Sequence, residues 1–368
     1  MTSPTSAARP RLRVLAWDHP RCLRPLAAAR EPYRVASGVD VEVGVRSLAG
    51  FGDDVPAGDE FDVVLIDHPH IGQAAAAGQI LALDELLEAD VLAERLALAV
   101  GPSGASYVLG GHAWAVPVDA ASHALACAHE LEPPSSVAEV LALAEARPGR
   151  VAIPLQPAHA LSAFVSVAAA LGAADAVGGF HDAALATATI EALALVAAAG
   201  PRAACDWDPP AALAQLEAGV VDCVPWTYGY VGYDVQWANA PAGTPAGVPG
   251  SILGGVGMAV MAASVDPVAA AAFAAWFGSP AVQQGIVAAA GGQPAEGGAW
   301  EVTPDPLCCH SRRSLDCAVV RPCAAWWPAF QHAAGDLLHS ALRAGAPAAD
   351  TAAQLLALYS HRLEPDHR

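Results

Sequence analysis

The chain has 368 residues, of which 54% are hydrophobic and 15% charged, enough apolar material for a large core and enough length for two domains. Its 37 acidic residues against 18 basic ones give a formal net charge of −19, which repels phosphate backbones and anionic lipid, so nucleic-acid binding is excluded as an expectation. No alanine-dense stretch supplies the roughly 18 uninterrupted, strongly apolar residues that membrane insertion needs.

The opening segment, MTSPTSAARPRLRVLAW, passes from polar residues straight into a strand-like run without the apolar region of an export signal. The expected location is cytoplasmic as the chain is written, and periplasmic or extracellular if its start or signal has been trimmed. Eight cysteines agree with a reducing compartment, because a protein with an ample core has little need of disulfides. Residues 13–17 (RVLAW) read as a buried strand ending in a loop at Asp18-His19-Pro20, and a helix is expected from Pro25. Residues 39–45 (VDVEVGV) alternate as a half-buried strand does, and 61–66 (FDVVLI) form a continuous apolar strand. The order strand, helix, strand, helix, strand implies parallel crossovers.

A small-residue helix follows at 72–78, a connection at 81–87, and at 110–118 (GGHAWAVPV) the chain is expected to leave one lobe for another. The second lobe is expected to hold a helix at 136–146, a strand at 150–154, helices at 160–171, 189–199 and 211–218, and a strand at 220–226. Residues 241–249 are loop in composition, 257–262 read as a returning strand, and helices follow at 267–277, 280–290 and through much of 316–359.

The stretch 251–294 is the most specific: SILGGVGMAVMAAS, then DPVAAAAFAAWFGSPAVQQGIVAAAGGQP. A Gly-Gly turn entering a strand, a Ser-x-x-Pro helix behind it and a closing Gly-Gly-x-Pro turn occur in the order seen in family 1 extracellular solute-binding proteins, which this segment resembles. The strands ending at Trp17-Asp18 and Ile66-Asp67, and the crossing at Ala115-Val116-Pro117, extend the resemblance over nearly the whole chain. It implies an α/β, two-lobed type II periplasmic-binding-protein fold with crossing hinge strands and a ligand cleft that closes between the lobes. The expected partition is 1–115 plus 257–308 for lobe 1 and 116–256 plus 309–368 for lobe 2. A monomer that binds a small molecule, with ABC-transporter permease subunits as partners, no cofactor and no catalysis, is the corresponding expectation. Sugar is the family's commonest solute, while a carboxylated or aminated metabolite suits the acidic, imidazole-rich loops equally.

In open α/β sheets ligands sit beyond the carboxyl ends of strands. Candidates are therefore Trp17, Asp18, His19 and Arg21 after the first strand, and Asp67, His68 and His70 after the strand at 61–66. Carboxylates and imidazoles hydrogen-bond hydroxyls, and Arg21 can fork onto an anionic group. Asp18 and Asp67 serve equally as caps of the helices after them. Trp226, Tyr228 and Tyr230 offer aromatic cover, which suits half-buried packing as well. His159 precedes a helix, Gly254 and Gly255 permit close backbone approach, and Gln293 is a further polar candidate. Gly255-Val256-Gly257 lacks the third glycine and the subsequent helix of a dinucleotide fingerprint.

The same loops, 18–21 and 67–70, permit a second reading, a metal-binding protein or metal-dependent enzyme with oxygen and nitrogen ligands. Cys308, Cys309, Cys317 and Cys323 with His310 do not match the paired spacing of structural zinc sites and read as free thiols. Arg312, Arg313 and Arg321 read as solvated or paired with acidic groups, with Arg321 before Pro322 a further cleft candidate. No nucleophile elbow, P-loop or zinc-protease motif is present.

Overall fold

The computed structural model describes residues 10–48, 55 and 58–362; the first nine residues, on which the export reading rests, lie outside them. Strand β1 (Arg11–Trp17) leads into helix α1 (Pro20–Ser37), then β2 (Asp40–Arg46) and β3 (Val63–Ile66). Both β2 and β3 pair with β1 in parallel, as the strand-helix-strand order requires. Helix α1 begins at Pro20 rather than Pro25, because the His19 imidazole caps it, and Pro25 and Pro32 are carried inside.

Helices α2 (Ile71–Ala76) and α3 (Ala89–Ala97) and the short hairpin β4 (Val108–Leu109) and β5 (His112–Ala113) bring the chain to β6 (Val116–Cys127). All twelve residues of β6 are buried. Beyond it come α4 (Val137–Ala146), α5 (Pro157–Ala170), α6 (Ala183–Ala199) and α7 (Pro209–Glu217), then β7 (Cys223–Tyr228) and β8 (Gln236–Asn239). The strand expected at 150–154 is an extended segment that touches the sheet through a single bridge, Val151 to Cys223.

Strand β9 (Leu253–Val260) returns between β3 and β6, antiparallel to both. The order is β2-β1-β3-β9-β6-β7, with β8 also on β6, so β6 and β9 cross from one half of the molecule to the other. Helix α8 (Pro267–Phe277) comes next, and the helix expected at 280–290 is a short turn α9 (Pro280–Val282) continued as a π-turn over Gln283–Val287. The buried Gln283 amide at its start donates to the carbonyls of Val118 and Phe277 and accepts from the Ala295 N–H. Helices α10 (Gly297–Val302), α11 (Pro306–Asp316), α12 (Trp327–Ala344) and α13 (Ala348–Arg362) complete the chain.

The core is divided in the same way. Leu12, Val14, Val63, Met258, Phe273 and Phe277 form one apolar cluster, and Val140, Phe164, Leu193, Trp327, Phe330 and Tyr359 belong to another. A smaller group containing Val100, Ala120, Leu253 and Trp300 lies where β6 and β9 cross. Among the described residues no helix is long and apolar enough to cross a membrane.

Candidate functional site

A cavity of about 400 Å³ lies between the two halves, a volume within the range of small-molecule sites. Its first wall consists of Trp17 at the end of β1, Arg21 in the first turn of α1, and Asp67 and His70 after β3. Opposite stand Tyr228 at the end of β7 and Tyr230 beyond it, His159 and Ser162 of α5, and Asp208 at the start of α7. The crossing strands form the floor through Asp119 and Ala121 of β6 and Gly254 to Val256 of β9. Arg321, Gln331 and His332 close one side.

Two ion pairs are built into these walls. Arg21 Nε donates to Asp119 at 2.6 Å, a second guanidinium nitrogen meets the other carboxylate oxygen, and Nη1 reaches across to the Gly229 carbonyl at 3.1 Å. The same guanidinium lies 4.8 Å from the centre of the Tyr230 ring, a cation–π distance. Burial pushes the Asp119 carboxyl up and the Arg21 charge opposes it. Arg321 binds both oxygens of Asp67 at 2.9 and 2.8 Å and also donates to Gln331 and to the Leu253 carbonyl. Although burial acts against ionisation of Asp67, the Arg321 charge prevails and holds that carboxyl well below the usual range.

The imidazoles of His70 and His159 are both held down to about 4, chiefly by burial. They are neutral at pH 7, and neither Nδ1 has a hydrogen-bond partner among the described residues. Buried polar atoms are rarely left so, and a bound hydroxyl or an ordered water would complete them. The Tyr228 ring lies edge-on to His123 at 4.5 Å, and His123 is fixed by a 2.9 Å bond to Ser166. Two glycines make room for this arrangement. A Cβ on Gly254 would lie 2.6 Å from the Tyr228 ring, and Gly255 has φ +100° beside the Asp119 carbonyl, where β6 carries a bulge.

Of the residues chosen from sequence, Trp17, Arg21, Asp67, His70, His159, Tyr228, Tyr230, Gly254, Gly255 and Arg321 reach the cavity. Five others do not line it. Asp18 is exposed, with its N–H bonded to the Arg46 carbonyl. His19 caps α1 by accepting from the Arg21 N–H and packs edge-on against Tyr230. His68 is fully buried behind Asp67, 3.2 Å from its carboxylate.

Trp226 is buried in the core two residues below Tyr228, with φ +50° at a bulge where Pro225 and Trp226 together oppose Leu125. That extra residue reverses the strand's alternation, so Trp226 and Tyr228 face away from the side taken by Val224. Gln293 donates to the Ala120 carbonyl at 2.8 Å and fastens the Gly-Gly-Gln-Pro turn to β6.

The metal reading finds no support, since among the described residues no three His, Cys, Asp or Glu side chains are placed to hold an ion. All eight cysteines are free thiols.

Asp119, Asp208, Gln331 and His332 were not picked out from sequence. A lone carboxylate inside the apolar run VPVDAASHALAC marks Asp119, and Asp-Pro-Pro marks Asp208 as a helix cap. For Gln331 and His332 the sequence carries no such signal.

No curated protein matches the chain in sequence. Maltose-bound MalE3 of T. maritima superposes with a TM-score of 0.78 at 15% identity, over 96% of this chain and 100% of that one. A solute-binding protein of an ABC transporter from Agrobacterium radiobacter K84, in complex with ribitol, gives 0.75 at 18% identity over 95% and 97%. The GacH receptor of Streptomyces glaucescens, solved unliganded and with acarbose, gives 0.73 at 19% over 97% and 98%. These likenesses establish the fold, two α/β lobes of the type II periplasmic-binding-protein class. Residues 48–300 match the model of a single family, and the chain accordingly belongs to the bacterial extracellular solute-binding proteins.

Proposed function

We propose that the chain captures one small, hydroxyl-rich solute in the interlobe cavity and serves as the substrate-binding component of an ABC importer, outside the cytoplasmic membrane. The observation that carries this reading is the composition of the cavity wall: neutral imidazoles with unpartnered nitrogens, tyrosine rings, and carboxylates already oriented by guanidiniums. Such a wall binds hydroxyls by directed hydrogen bonds and covers apolar ring faces with aromatic ones. Relatives of the same fold hold maltose and ribitol.

On this reading Asp67, His70, His159, Tyr228 and Tyr230 touch the solute, with Trp17, Arg21, Gly254 and Gly255 shaping the cleft. Residues 1–115 plus 257–308 would move as one lobe and 116–256 plus 309–368 as the other, with β6 and β9 as the hinge. The protein acts as a monomer, performs no catalysis and hands its solute to permease subunits. Thermal-shift measurement against polyols, sugars and their derivatives tests it, because a ligand selective for the folded state raises Tm by mass action. Stabilisation by none of them, or turnover of a bound one, would overturn the reading.

A further inference from the structure

We propose that the solute carries a protonated amine and that Asp208 receives it. This rests on the solute-binding reading above and adds the ligand's charge to it. Among the described residues three carboxylates stand on the cavity wall, and two have their counter-charges inside the protein: Asp67 has Arg321 and Asp119 has Arg21. Asp208 has none. One oxygen caps α7 by accepting from the Ala211 N–H at 2.8 Å, and among the described residues no arginine pairs with it. The chain contains no lysine at all.

The titratable groups that feel the Asp208 charge are His19 before α1, His159 on α5, and Tyr230 and Tyr233 after β7. Burial holds both of these imidazoles down to about 4, so neither supplies a cation at neutral pH. The described carboxylates and guanidiniums of the wall therefore leave one negative charge over.

When lobes close on a ligand they remove water from the cleft, and a carboxylate left with neutral donors alone loses hydration that those donors only partly restore. An ammonium group supplies the opposite charge that those donors lack, and Trp17 and Tyr228 provide aromatic faces beside which a cation is stable. A carboxylated solute meets the opposite situation. It adds a second unmatched negative charge, and the two guanidiniums within reach are already bound to Asp67 and Asp119.

The test is calorimetry on the full chain at pH 7, after a thermal-shift screen of polyols, neutral sugars and their aminated, N-acetylated and carboxylated counterparts. The expected result is at least tenfold tighter binding of an aminated member than of its neutral and N-acetylated counterparts. Asp208→Asn keeps a good helix cap and should reduce that preference to about twofold or less. Equal or tighter binding of the neutral counterpart, or an amine preference unchanged in Asp208→Asn, would overturn the assignment while leaving solute binding in place. Failure of every compound to bind would instead remove the solute-binding reading, and this inference with it.

Discussion

Asp67 and Arg321 are 254 positions apart in the chain, yet one guanidinium nitrogen lies 2.9 and 2.8 Å from the two carboxylate oxygens at the edge of the cavity. The loop after β3 is thereby joined to the segment between α11 and α12, and Gln331 fixes the far side of the guanidinium at 3.2 Å. Because Arg321 is almost wholly buried, the pair works as a unit and its members are not separable without cost.

Arg321→Met leaves the Asp67 carboxylate buried without its counter-charge, and a loss of about 3 kcal/mol in folding stability is expected. The double variant Asp67→Asn/Arg321→Met removes both charges and should recover most of it. Urea titration of the three proteins decides the matter. A single-variant cost under about 1 kcal/mol would show that the pair contributes little.

Asp67→Ala should weaken solute binding about tenfold or more, the effect of losing a charge-assisted hydrogen bond of about 1.5–3 kcal/mol. Calorimetry with a solute found by thermal shift provides the measurement. Unchanged affinity in a folded variant would take Asp67 out of the contact set.

Gly254→Ala places a methyl group against the Tyr228 ring, 2.6 Å from Cε1 and 3.0 Å from Cδ1. The ring must swing into the cavity or the crossing strands must separate. Affinity should fall severalfold and stability by about 1–3 kcal/mol, the usual range for overpacking. A variant with wild-type affinity would mean that the ring has room to move elsewhere.

Trp226 and Tyr228 should respond in opposite ways. Tyr228→Ala is expected to reduce affinity in a protein that still folds, whereas Trp226→Phe, which opens space in the core, should lower the urea midpoint and leave affinity unchanged. Paired urea and calorimetric data on the two variants separate these effects, and a loss of affinity in Trp226→Phe without destabilisation would return that ring to the site.

Acid should destabilise the protein well above the carboxylate range. An unfolded imidazole titrates near 6.5, while His70 and His159 are held to about 4 in the fold, so the unfolded chain binds protons that the folded one refuses. Their stabilising contribution is complete above about pH 6.5 and is lost progressively as pH falls towards 4. Asp67 adds a further loss below its ordinary range, because its depressed carboxyl must then be protonated. The urea midpoint should fall between pH 6.5 and 4.5, and His70→Gln should flatten that slope. A midpoint that stays constant over this interval would contradict the assignment.

Much of the first wall was legible because it is local. Parallel strands β1 and β3 end at the same edge of the sheet, so Trp17, Arg21, Asp67 and His70 stand out as the residues at or just beyond each strand's carboxyl end. The Gly254-Gly255 pair announced a close backbone approach in the same way. Asp18 and His68 show the limit of that reasoning, since a loop position fixes proximity to a strand end but not the side on which a side chain emerges. Helix α11 and strand β8 were not foreseen, because a short polar-apolar segment such as QWAN becomes a strand only against an edge that accepts it.

Sequence by itself determined the alternation of strands and helices, the chain reversal that returns β9 to the sheet, and the residue types available at the strand ends. Tertiary structure alone decided that the Pro225-Trp226 bulge turns Trp226 into the core, that Arg321 belongs to Asp67, and that Asp208 is left without a cation among the described residues. The reason is physical: periodicity and turn chemistry act over a few neighbouring residues, whereas charge pairing and burial depend on distances in space between segments that the chain order keeps apart.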